Sequence, residues 1–195
     1  MCRGTICDMF DFIETKTLYT IIHVFGAIIG AGGAFVSDGM FFDTVKDGRV
    51  TKRELDFMKL GGRFVWIGLF VLVISGIFLV STNPSYYLAS DKFIAKVVIV
   101  GIILINGIIF HSIHIPYIRN HLGIKLSESI TFHKKSSAIV LSGALSFVSW
   151  VFTVILGSLR AVPYNYTEIL SVYVVCAMLA MFVGLGIKRK ILHLK

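Results

Sequence analysis

Five apolar stretches, residues 18–36, 64–80, 93–115, 138–159 and 169–187, are each long enough to cross a lipid bilayer. A hydrocarbon core of ~30 Å is crossed by about 20 residues at ~1.5 Å of rise each. Backbone N–H and C=O groups inside it must pair within the segment, so each stretch is predicted to be a helix. The expected fold is all-α: an integral membrane five-helix bundle forming a single transmembrane domain over residues 1–195, with the lipid bilayer as its first partner.

Composition and charge agree with that solvent. Charged residues make up 15% of the chain and the mean hydropathy is +0.84, against about 25% charged residues in soluble domains. A net charge of +8 is one that nucleic-acid-binding domains also carry. Here the basic residues sit at the ends of apolar spans, so no nucleic-acid partner is expected. Segments 37–63, 116–137 and 188–195 fall on one side of the membrane if all five stretches cross, and they hold 14 of the 19 Lys and Arg. The positive-inside rule puts that side in the cytoplasm. The expected arrangement is a multi-pass protein of the cell inner membrane, N-terminus outside and C-terminus cytoplasmic. Residues 1–17 carry Asp8, Asp11 and Glu14 and have no cleavable leader pattern, so residues 18–36 read as a retained anchor. Cys2 and Cys7 then lie outside, as a disulfide or as two thiols, and Cys176 reads as a small core residue of the fifth span.

The first span stays apolar through Met40, Phe41 and Phe42 and runs to a turn at Asp47-Gly48. Thr51-Lys52-Arg53-Glu54 has capping-box spacing, so a second helix is predicted to start there and run on into 64–80. The first two helices are expected to form a long hairpin extending into the cytoplasm. Asn83-Pro84-Ser85 breaks the second helix, and Tyr86, Tyr87, Tyr164 and Tyr166 suit the membrane interface. Pro116 is expected to end the third helix, and 122–133 to form a short surface helix. The stretch from Asp43 to Glu54 has part of a calcium-loop pattern, but Val45 at its third position has no side-chain oxygen and four basic residues surround the site.

The ionisable residues inside the spans are the functional candidates, because charge in lipid is costly. His23 lies at the outer end of a seam of small residues in which Gly26 and Gly30 form a GxxxG. Such a seam lets another helix approach closely, within the chain, in a homo-oligomer or in a partner subunit. Lys96 opens a stripe on the third span that ends at His111 and His114, and Asn106 lies mid-membrane, placed to hydrogen-bond a neighbouring helix. His133 returns to the level of His111 and His114, and three imidazoles at one depth can hold a metal or haem iron, or simply titrate at the interface. Asp38 and Asp43 are expected to pair with nearby Arg or Lys at the inner boundary.

His23-Val24-Phe25-Gly26-Ala27 with its following small residues, Ser75-Gly76 in the second span, and Lys92-Phe93-Ile94-Ala95-Lys96 leading to Asn106 and His111 form a pattern over about 19–114. It resembles HemJ-type protoporphyrinogen oxidases and the CopD-like copper-resistance membrane domains. It also resembles uncharacterised bacterial membrane proteins with the same spacing. The first resemblance implies porphyrin oxidation with bound haem, with His23 and Lys96 at the matching positions and Lys96 the candidate catalytic residue.

Three functions are therefore carried forward. The leading expectation is b-type haem for electron transfer or porphyrin oxidation, with His23, Lys96, His111, His114 and His133 as cofactor-binding residues. The second is a small metal-ion transporter or metal-handling protein with the same histidines and Asp38 along its path. The third is a structural or accessory membrane subunit.

Overall fold

The computed structural model describes residues 14–47, 50–123 and 130–193, with side chains for all of these except 43–47, 130–135 and 191–193. Among them every regular element is a helix: α1 (Thr15–Asp47), α2 (Lys52–Thr82), α3 (Pro84–Leu88), α4 (Asp91–Ile109), α5 (Ile115–Arg119), α6 (Ile130–Ser158) and α7 (Tyr166–His193). A π turn, Phe110–His114, joins α4 to α5 in one continuous rod. Five helical lengths are long and apolar enough to cross a membrane: Thr15–Phe42, Lys52–Thr82, Asp91–Arg119, Ser136–Ser158 and Tyr166–Lys190. The chain is a multi-pass membrane protein. Its outward faces fit lipid, with Phe25 58%, Phe70 68% and Phe182 78% exposed, an arrangement that water would penalise and hydrocarbon does not.

The start of α2 is set by Thr51. Its Oγ1 accepts from the Glu54 N–H at 3.2 Å, and the Glu54 carboxylate accepts from the Thr51 N–H at 2.7 Å. This is the predicted capping box, and α2 then runs unbroken for 31 residues. Glu54 is thus committed to the helix start rather than to a cation; Asp43, Asp47, Gly48 and Arg49 of the calcium-like pattern lie outside the described side chains. Asn83 ends α2 and caps α3, its Oδ1 accepting from the Tyr86 N–H at 3.2 Å. The expectation for Pro116 needs correcting. The rod continues past it to Arg119, because the π turn precedes it: the Ile115 N–H reaches back to the Phe110 carbonyl. The wider turn absorbs the donor and the space that a proline denies an α-helix. Ile130–His133 belong to the backbone of α6, not to a separate surface helix; residues 124–129 lie outside the description.

Packing of α1 on α2 is backbone to backbone. A Cβ added at Gly26 would sit 2.7 Å from the Leu72 nitrogen, one at Gly33 2.6 Å from the Gly61 carbonyl, and one at Gly68 against the Gly30 nitrogen. The indole of Trp150 on α6 covers Gly30. The GxxxG seam expected to receive a partner is therefore taken up within the chain, by α2 and by Trp150.

We call the end carrying Tyr86, Tyr87, Tyr164 and Tyr166 the tyrosine end, and the opposite end the basic end. At the tyrosine end two consecutive residues of α4 seat two different helices. The Lys92 ammonium donates to the Leu159 carbonyl, just past the last turn of α6, and the Asp91 carboxylate accepts from the Tyr166 N–H at the first turn of α7, 3.2 Å away. Both charges have the sign that the facing helix dipole favours. At the basic end Phe41, Val50, Leu55, Met58, Ile118 and Val140 form a separate apolar cluster. Gly123, with φ +80°, turns the chain back so that its N–H reaches the Val50 carbonyl at 3.0 Å, a conformation that favours glycine.

Candidate functional site

Between the basic-end cluster and the core around Trp150 lies a small, mostly apolar chamber with a few polar groups on its wall. It has a volume of about 40 Å³, and its walls come from α1, α2, α4, the π turn and α6. α1 contributes Asp38. The Oδ2 of that carboxylate is fully buried and has no hydrogen-bond partner, and among the described residues no cation forms an ion pair with it. The one ion pair described at this end, Lys59 with Asp56 at 4.0 Å, joins two residues of α2. The expected pairing of Asp38 with a nearby Arg or Lys is therefore not found. The reason is depth: α1 stays apolar through Phe42, so Asp38 sits inside the span and faces other helices. The Asp43 side chain lies outside the description.

α6 meets Asp38 with its smallest residue. A Cβ built at Gly143 would stand 3.1 Å from the Asp38 Oδ1, so glycine there makes room for the carboxyl. Beside it Asn106 and Ser142 bind each other twice. The Asn106 amide donates to the Ser142 carbonyl at 3.0 Å, and the Ser142 hydroxyl donates to the Asn106 Oδ1 at 2.8 Å. The expected interhelical role of Asn106 is thus given a partner. Ser37 donates to the Met58 carbonyl at 3.3 Å. Trp150 is fully buried on the side of the chamber toward the tyrosine end, and its indole Nε1 also has no partner.

Of the three histidines expected at one depth, His111 and His114 differ in burial. His111 is exposed and lines the chamber. His114 is buried, its ring 6.1 Å from that of Phe110 in an edge-on arrangement. A regular helix would bring residues three apart onto one face; the π turn rotates them away from each other. The side chain of His133 lies outside the description. Among the described residues no group of three His, Cys, Asp or Glu is placed to hold a metal ion. A haem does not fit the chamber either. Pockets for ligands of drug size occupy ~300–1,000 Å³, several times this volume.

At the tyrosine end of the same spans lie His23 and Lys96. The His23 Nδ1 lies 3.0 Å from the Ser75 hydroxyl, and that hydroxyl donates to the Val71 carbonyl at 2.6 Å. A hydroxyl has one proton to give, so Ser75 serves either the ring or a carbonyl of its own helix, and the tautomer of His23 decides which. The Lys96 ammonium lies within electrostatic range of the ring and makes no hydrogen bond or ion pair among the described residues. The face that α4 buries is Ala95, Ile99, Ile103 and Asn106, so Lys96 flanks the core rather than heading a stripe into it. Cys176 is half-buried in α7; Cys2 and Cys7 lie outside the described residues.

Sequence reasoning passed over Gly143, Ser142, Ser146 and Trp150, which make the wall opposite Asp38. The signal for Asp38 itself was present: an acid followed by Met40-Phe41-Phe42 lies inside an apolar length, not at its edge. Comparison of the chain with protein-family models, with curated proteins and with solved structures found no match.

Proposed function

We propose that this protein handles a small cation at Asp38, taking it up at the basic end and passing it between the helices. One observation carries the reading: a carboxylate oxygen buried within the spans, without a partner, on the wall of a small chamber. Ionisable groups in such positions mark ion paths and proton relays, because their cost is otherwise uncompensated. The basic end faces the cytoplasm of an inner membrane, on the charge asymmetry of the polar segments. The N-terminus is then outside, and the long α1–α2 hairpin (about 50 Å of helix in α1 against a ~30 Å core) extends into the cytoplasm.

The test is a current. Purified protein is reconstituted in a supported membrane and driven by an imposed cation gradient. The wild type carries charge, and Asp38→Asn lowers the initial current at least tenfold, while Asp56→Asn on the exposed face of α2 leaves it unchanged. Equal currents from wild type and Asp38→Asn remove the reading.

A second reading attaches to the tyrosine end. His23 is held at Nδ1, 3.0 Å from the Ser75 hydroxyl, a contact that would orient the ring toward an iron, and b-type haem is the cofactor the sequence resemblance implies. Bound haem would supply one-electron chemistry; this chain would hold the imidazole orientation through Ser75 and set the local charge through Lys96. Protein purified after growth with added haem should then show a Soret band that His23→Ala loses. No Soret band in the wild type ends this reading and leaves the first intact.

A further inference from the structure

The chamber can be asked which cation it would accept, an inference that rests on the Asp38 reading above. A dehydrated metal ion of the hard class needs about six oxygen ligands converging on one point. The chamber wall offers the hydroxyl oxygens of Ser37, Ser142 and Ser146 and the Asn106 amide oxygen, all neutral, and Asn106 and Ser142 are tied to each other by two hydrogen bonds. Among the described lining residues the one carboxyl is Asp38, with its buried Oδ2 unpartnered. One carboxyl cannot replace the hydration shell of a metal, but it is a complete site for a proton.

The chamber volume points the same way. At about 10–15 Å³ per water centre, about 40 Å³ accommodates a short chain of waters rather than a hydrated metal. Among the described residues that line the chamber with Asp38, none carries a fixed charge. α2 presents Gly62, Val65 and Trp66; α4 presents Ile103, Asn106 and Gly107; α6 presents Ser142, Gly143, Ser146 and Trp150. The π turn adds Phe110 and His111, and His111 is the one other titratable group among the described residues that line the chamber. It is also exposed, so it stands between the chamber and the surroundings.

We propose that the ion is a proton: Asp38 is the acceptor within the spans, fed by water through the mouth at His111. In the loading step an O–H bond of a protonated chamber water breaks, an O–H bond forms at Asp38 Oδ2, and neutral water is left behind. His111, exposed where it lines the chamber, stands on the path in and so bears on the rate of loading rather than its capacity.

The experiment is difference infrared spectroscopy on the full chain in lipid nanodiscs, titrated with acid. A protonated-carboxyl C=O band should grow as pH falls, and at least half of its amplitude should disappear in Asp38→Asn. Its midpoint should be the same in sodium, potassium and choline salts. His111→Ala should slow the band's appearance after a pH jump at least fivefold without moving the midpoint. If sodium, lithium or magnesium displaces the band and binds stoichiometrically to wild type but not to Asp38→Asn, the ion is a metal: the inference is overturned and the Asp38 reading stands. If the Asp38-dependent band is absent and no metal ion binds, both fall. The salt comparison on wild-type protein keeps the inference falsifiable even where Asp38→Asn fails to fold.

Discussion

Asp38→Leu is expected to unfold at a higher temperature than the wild type while carrying no current. The wild-type carboxyl has a buried oxygen with no partner, and an orphaned polar group of this kind costs about 1–3 kcal/mol. An apolar side chain of similar reach removes that cost and keeps contact with Gly143. Asp38→Asn keeps the shape and part of the polarity, so its gain should be smaller and its loss of current as complete. Thermal unfolding in one detergent, read by near-UV circular dichroism beside the reconstituted current, checks both. Opposite signs for stability and transport mark a group retained for what it does. A loss of ~2 kcal/mol in both variants would mean that Asp38 holds the fold together, and the chamber would lose its functional meaning.

The largest loss of stability is expected from Gly68→Val. A Cβ at this position meets the Gly30 nitrogen and Cα and, at 2.7 Å, the Gly26 carbonyl. These are backbone atoms of α1, which cannot rotate aside as a side chain would. Overpacking costs ~1–3 kcal/mol where neighbours can yield; here the two helices must part along the seam, so the top of that range or beyond is expected. Gly101 is the matched control. Nothing lies within 4 Å of its added Cβ, and Gly101→Ala should be neutral or stabilising by up to ~1 kcal/mol through helix propensity. The thermal midpoint of Gly68→Val should fall well below the wild type and that of Gly101→Ala at or above it, and similar midpoints would show that α1 and α2 are not held by close backbone approach.

Much of the fold was legible because lipid leaves few alternatives. A run of apolar residues long enough to cross had to be a helix, and the five expected spans are helical but for Leu159 at the end of the fourth, with the second extended upstream to Lys52. The Thr51–Glu54 cap was readable because two side chains and two N–H groups three residues apart define it locally. The site was less legible, since its parts come from four helices and only their packing brings Gly143 opposite Asp38. The π turn was invisible for a related reason. Nothing in Phe110-His111-Ser112-Ile113-His114 spells a wide turn, yet it decides that His111 lines the chamber and His114 enters the core. Pro116, read as a stop, was its nearest trace.

The neighbours Asp91 and Lys92 have a mechanical consequence. Successive residues on a helix point about a quarter-turn apart, so one short stretch of α4 grips the finish of α6 and the beginning of α7 at once. Axial sliding of either helix past α4 must break a charged grip. Tilting about that gripped rim breaks neither, and its displacement grows with distance from the rim. At the chamber such tilting is resisted instead by the two hydrogen bonds between Asn106 of α4 and Ser142 of α6.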